Sequence, residues 1–233
     1  MNDSDFSASS APEVPDQDFA RRLRGFCPVG IAAMVVILAG NLIFAPMSAV
    51  LALLWARRSR TPLRELGFVR PRSVWQAVLV GTTFGVAFKF AMKAIVMPLL
   101  GSDPINHAYH FLVGNPALAL AFIPQLIVVA GFGEETLFRG YMFERLGKLL
   151  GRGVAASVVM VIFTSVLFGS LHYHDQGLPG AQQATIVGLV FGTIYARTRS
   201  IGMLMVAHAA FDIAAVAIIY WDLETTVARF IFK

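Results

Sequence analysis

Six apolar runs of roughly 20 residues or more divide this chain, and the short links between them carry most of its Lys and Arg. A hydrocarbon layer of about 30 Å takes about 20 helical residues at 1.5 Å each, and a backbone in lipid must satisfy its own hydrogen bonds. Runs of this length therefore predict helices, near 29–55, 74–100, 116–138, 154–172, 178–196 and 202–220. The expected fold class is all-α: a polytopic transmembrane helix bundle of about six spans, with seven or eight helices if re-entrant or interfacial segments are counted. Composition agrees, because a chain that is 57% hydrophobic and 14% charged has too little polar surface to cover a water-soluble globule. One membrane domain is expected over 26–233. A disordered polar tail is expected over 1–25, which is rich in Ser, Ala, Asp and Pro.

The net charge of +5 does not indicate a nucleic-acid partner, since no basic patch interleaved with aromatic residues is present. The charge sits in the links instead. Arg57, Arg58, Arg60, Arg64, Arg70 and Arg72 follow the first run, Arg145, Lys148 and Arg152 the third, and Arg197 and Arg199 the fifth, whereas 101–115 and 173–177 hold no Lys or Arg. The positive-inside rule then places the basic links in the cytoplasm and both termini outside, with Arg21, Arg22 and Arg24 pulling the other way. Pro46 is expected to kink the first span. Gly81/Gly85 and Gly188/Gly192 are small-xxx-small pairs that suit close helix packing. Arg64 to Phe68 reads as a short amphipathic element at the cytoplasmic interface. Cys27, the lone cysteine, allows no internal disulfide. No internal repeat is evident, which argues against a transporter built from symmetric halves.

Three charged residues, Glu134, Glu135 and Arg139, lie within about two helical turns at the end of the third apolar run. Each charge at the centre of a membrane helix costs roughly 2.5–3.5 kcal/mol, so such a cluster needs a polar interior to face. Glu135 and Arg139 are i,i+4 neighbours in the favourable acid-before-base order and can neutralise each other. Glu134 is rotated by about 100° on the same helix and is left for another task. Burial and a nearby cation act on a carboxylate's proton affinity in opposite directions, a balance that suits a general base. Two later runs contribute Phe168 with His172, and His208 with Asp212, each pair spaced i,i+4. An Asp at that spacing can hold its His in one tautomer while the ring donates to a developing oxyanion. Lys89 and Lys93 share a face of the second span; they can bind an anion, but snorkelling or pairing with Asp103 accounts for them as well. His107 and His110 read as solvated loop residues. His174 and Asp175 read as an exposed loop or a gate beside His172.

In these three motifs the chain resembles the CPBP family of intramembrane endopeptidases, which includes the CAAX prenyl proteases and the abortive-infection proteins. The family pattern of Glu-Glu-x-x-x-Arg, then Phe-x-x-x-His, then His-x-x-x-Asn/Asp matches Glu134, Glu135 and Arg139, then Phe168 and His172, then His208 and Asp212, within a core at about 118–220. The resemblance implies a cleft in the membrane where Glu134 and His172 activate a water for attack on a peptide carbonyl. His208 and Asp212 would stabilise the oxyanion, and Glu135, Arg139 and Phe168 would support them. An ionised Asp212 cannot donate to an oxyanion, so it must be protonated or act by orienting His208. The substrate implied is a membrane-associated or lipid-anchored protein or peptide, and the location implied is the cell membrane. No cofactor is expected, with zinc held by Glu134, His172 and His208 as the alternative. A non-enzymatic scaffold or immunity protein is the rival from another class, and a proton-coupled transporter the third. Simple counting poses one difficulty. His172 lies about 20 residues beyond its basic turn and His208 about 8 beyond the next, so tilt or breaks near Pro124, Gly131, Gly133 or Gly202 must bring them level.

Overall fold

The first apolar run does not cross in one piece. In the computed structural model, which describes residues 15–43, 45–151 and 153–232, it folds into a hairpin of α2 (Pro28–Ile43) and α3 (Ala45–Arg58). The Trp55 indole N–H donates to the Leu23 carbonyl at 3.0 Å, and the Ser48 hydroxyl to the Ile37 carbonyl at 2.6 Å. A Cβ on Gly40 would meet Leu51 at 3.1 Å, so the two limbs run side by side in opposite directions. At 1.5 Å per residue, the 16 residues of α2 cover about 24 Å, less than the hydrocarbon thickness. Pro46 lies in the first turn of α3, where a missing N–H costs no helical hydrogen bond. The expected kinked span is thus corrected to a re-entrant pair. Total hydropathy is the same for a run that crosses and for one that doubles back.

The expected disordered tail is corrected in part. Residues 15–24 form α1 (Pro15–Arg24), with Ala20 and Leu23 buried, and the axis bends by 62° before α2. The rest of that expectation, residues 1–14, lies outside the described residues. Because α2 and α3 return to the end they started from, α1 sits beside the link after α3, where Asp16 and Arg60 form an ion pair. The Arg145 guanidinium donates to the carbonyls of Arg24 and Gly25 at 2.9 and 3.0 Å. Arg21, Arg22 and Arg24 therefore lie at the same end as the basic links, not at the opposite end as a single first crossing requires; the amino terminus itself lies outside the described residues. The conflict within the charge pattern disappears with that crossing.

Among the described residues, four helices are long and apolar enough to cross a membrane: α4 (Val74–Leu99), α5 (Pro116–Leu150), α6 (Val154–Thr198) and α7 (Gly202–Tyr220). The 45 residues of α6 reverse at Gly177, whose φ of 63° and ψ of −163° suit glycine alone. Gly169 packs on Ala181 and Thr185, Gly188 on Ser165 and Gly192 on Val161, which pairs 154–176 with 178–198 as antiparallel limbs. The two spans expected in this region are both present. The α4 and α7 helices run parallel, with Gly81 against Met203 and Val206 and Gly85 against Ala207 and Ala210. Both glycine pairs do the packing that their spacing predicted. A short C-terminal helix, α8 (Glu224–Ala228), closes the chain at the end opposite the basic links, where the Gly114 N–H bonds the Tyr220 carbonyl at 3.0 Å.

Small residues form one seam of the core. Ser48, Ala49, Ala52 and Ala56 present a nearly bare stripe of α3 to α5, and Trp55 stacks edge-on to Tyr141 at 5.0 Å. Around Leu126–Met142, α5 widens into π-helical turns closed by i→i+5 hydrogen bonds, and α4 does the same over Met92–Val96. Among the described residues there is no strand. The amphipathic element expected at 64–68 is a 3₁₀ turn, Leu63–Leu66, with Leu66 fully buried.

Candidate active site

The three motifs meet. Glu134 and Glu135 come from the widened part of α5, Phe168 and His172 from the first limb of α6, and His208 and Asp212 from α7. A wide turn takes more residues to go round, so successive side chains diverge less than on an α-helix. Both acids consequently address one imidazole. His208 Nδ1–H donates to Glu135 Oε1 at 2.7 Å, and Nε2 lies 3.6 Å from Glu134 Oε2 and 3.9 Å from Asp212 Oδ2.

Glu135 Oε1 also accepts from Arg139 Nη1 at 2.9 Å, and the guanidinium stacks on the Phe168 and Phe191 rings, 5.1 and 5.5 Å from their centroids. Glu135 and Arg139 are almost wholly buried, so their pairing is the condition for either charge to be there. The expected i,i+4 pair is in place. The orienting acid for His208 is nevertheless Glu135, and not Asp212 as the spacing suggested. Asp212 sits on the Nε2 side, at 27% side-chain exposure, and faces the cavity.

His172 Nδ1 lies 2.8 Å from the Phe168 carbonyl, which can only accept, so Nδ1 carries a proton and, in the neutral ring, Nε2 carries the lone pair. Phe168 packs edge-on between the two histidines, 4.5 Å from His172 and 5.9 Å from His208. Glu134, His172, His208 and Asp212 line one cavity of about 190 Å³. Glu134 Oε2 is buried there with no hydrogen-bond donor among the described residues.

The mismatch in depth resolves at the turn before α7. Arg199 adopts a left-handed φ of 51°, Ile201 is fully buried, and the Ile201 N–H bonds the Gly67 carbonyl at 3.0 Å. This turn is sunk into the protein beneath the 63–67 segment rather than lying at its edge. His208, eight residues on from Ser200, accordingly reaches the level of Phe191 and Phe168, with ring centroids 5.4 and 5.9 Å away. Near Gly131 and Gly133, two of the places where a break could have levelled the histidines, α5 widens and stays continuous.

The sequence missed several lining residues. Lys89 enters the cavity from α4, its ammonium donating to Gln183 Oε1 at 3.1 Å, and both lysines of that helix are buried. Neither snorkels. Lys93 pairs with Glu224 at 3.1 Å and donates to the Pro104 carbonyl, which corrects the expected pairing with Asp103. Tyr109 and Gln176 line the mouth away from the basic end. Burial raises the Tyr109 phenol above its ordinary value, and nearby Asp212 adds to this, so its hydroxyl stays protonated. Beyond that mouth lies a polar cavity of about 480 Å³ that shares Lys89, Asn106, Gln176 and Gln183. His107 is exposed beside Asp103, as expected; His110 instead meets the buried Glu224 at 3.3 Å. His174 and Asp175 pair with each other on the surface. The signal for Lys89 was an unexplained charge in an apolar run; Gln183 gave none.

For the zinc alternative, both histidines have Nδ1 committed, which leaves one nitrogen each. Among the described residues, no three His, Cys, Asp or Glu side chains are grouped so as to hold a metal ion.

Residues 116–214 match the family model described as Rce1-like, type II CAAX prenyl endopeptidase Rce1-like. All residues of the three motifs fall inside the match, whereas α1 to α4 fall outside it. No curated protein and no solved structure matches the chain.

Proposed function

We propose that this chain, whose residues 116–214 form an Rce1-like domain of the CAAX prenyl endopeptidase family, hydrolyses peptide bonds through a water activated by Glu134 and His172. The family is a protease family of multi-pass membrane proteins, and a membrane-associated peptide substrate goes with it. The cell membrane is the location we propose. The observation that carries the residue assignment is Glu134, which lines a cavity large enough for water together with His172 and whose buried Oε2 has no hydrogen-bond donor among the described residues.

In this reading the water is held by Glu134 and His172 Nε2. Its oxygen bonds to the scissile carbonyl carbon as Glu134 takes its proton, and the carbonyl π electrons move onto oxygen. His208 Nε2–H meets the oxyanion while Nδ1–H stays anchored on Glu135 and Arg139. The C–N bond then breaks and Glu134 returns the proton to the amine. No step uses a metal. Substrate is a membrane-associated or lipid-anchored protein or peptide, reaching the cavity from the bilayer or from its polar mouth.

The test compares peptides released from membranes by the wild-type protein, Glu134→Gln and His172→Ala. Each substitution is expected to lower cleavage by about 10²–10⁴-fold without loss of folded protein. Unchanged cleavage in both variants would favour the scaffold. Stoichiometric zinc together with chelator-sensitive activity would overturn the metal-free route.

A further inference from the structure

We propose that Lys89 is a further catalytic residue of this site, one whose ammonium meets the oxyanion that Asp212, as a carboxylate, cannot bind. The inference rests on the hydrolytic reading above and concerns a residue outside the matched segment.

Lys89 lines the same cavity as Glu134, His172, His208 and Asp212. It is 6% exposed, in a bundle where an ammonium without a counter-charge is expensive. Its one hydrogen-bond partner among the described residues is Gln183, at 3.1 Å, and an ammonium carries three donors. The nitrogen lies 4.8 Å from the centre of the Phe211 ring, the residue before Asp212. The cavity it enters is also lined by Asp212. Lys93, one turn on, is already occupied by Glu224 and the Pro104 carbonyl. Of the two, Lys89 keeps more donors for a new negative charge, and it has no carboxylate among its hydrogen-bond partners in the described residues.

The placement is built into the backbone. Gly85, one turn before Lys89, lets α4 come so close to α7 that a Cβ there would lie 2.1 Å from the Ala207 carbonyl oxygen. That contact fixes Lys89 level with Phe211 and Asp212. Asp212 then has a defined task. It balances the ammonium in the resting cavity, and the charge is handed to the carbonyl oxygen when water attacks. No atom is transferred: the N–H bonds of Lys89 turn to the oxyanion and return when it collapses.

The experiment measures kcat and KM of wild-type, Lys89→Met, Lys89→Met/Asp212→Asn and Glu134→Gln proteins in liposomes, on a peptide the wild type cleaves. It adds binding of a phosphinate analogue of that peptide, a tetrahedral anion. Lys89→Met should lower kcat by about 10²-fold, leave KM unchanged and weaken the phosphinate by a similar factor without weakening the uncleaved peptide. The side-chain amide introduced by Asp212→Asn donates an N–H of its own, so the double variant should recover part of kcat. A merely structural Lys89 would move peptide and phosphinate together. If Lys89→Met fails to fold, Lys89→Leu carries the same expectation. Unchanged kcat in Lys89→Met alongside inactive Glu134→Gln overturns this proposal and leaves the hydrolytic reading standing. A change in KM alone overturns it in favour of an anchor for an anionic substrate group. Wild-type protein whose cleavage does not need Glu134 overturns both.

Discussion

Two adjacent acids on one helix hold the two nitrogens of His208 differently, Glu135 by a short hydrogen bond and Glu134 at a longer ionic distance. Glu135 also neutralises Arg139, so one buried oxygen serves both the ring and the guanidinium. Removing that carboxylate leaves an uncompensated buried cation. Glu135→Leu should therefore lose about 3–5 kcal/mol of stability, and Glu135→Leu/Arg139→Leu should recover most of it. Unfolding of the purified variants in detergent measures both. A second residue-scale expectation concerns the link after α4. The Ile105 N–H, and after it His107, hold the Asp103 carboxyl below its ordinary 3.8. A depressed folded value means the turn is fully stabilised above pH 3.8 and loosens as pH falls through the lower folded value. Exchange protection at the Ile105 amide, corrected for its intrinsic rate, should fall in that window, and Asp103→Asn should abolish the fall.

At the scale of elements, glycine contacts set the spacing on which the site depends. Gly81 and Gly85 seat α4 on α7, and the α6 limbs close through Gly169 and Gly188. A side chain at Gly85 must displace backbone, so Gly85→Val should cost about 1–3 kcal/mol or more by overpacking and move Lys89 away from Asp212. Gly202→Ala, where a Cβ meets nothing within 4 Å at the first position of α7, should cost no more than about 0.5 kcal/mol. Thermal unfolding and cleavage measured side by side check the pair. The widening of α5 acts at the same scale. It turns Glu134 toward the ring that Glu135 already holds, which an α-helical projection of the same residues places about 100° apart.

Across the whole molecule, the re-entrant α2–α3 pair decides sidedness. It puts the amino-terminal arm at the basic end and the 101–115 link at the other. In a Cys27→Ser background, Arg72→Cys and Asp16→Cys should react with a membrane-impermeant maleimide from one face, and His107→Cys from the opposite face. Labelling of Asp16→Cys together with His107→Cys would restore a single first crossing. The helical class, the apolar segments, the Glu135–Arg139 pair and the order of the motifs were all legible along the chain. Each depends on near neighbours or on total hydropathy, which local physics settles. The folded arrangement was needed to learn that the first run doubles back, that Glu135 rather than Asp212 orients His208, that the turn before α7 is sunk, and that Lys89 shares the cavity. Those outcomes depend on how closely separate helices approach, and helix packing is governed by contacts between residues far apart in the chain.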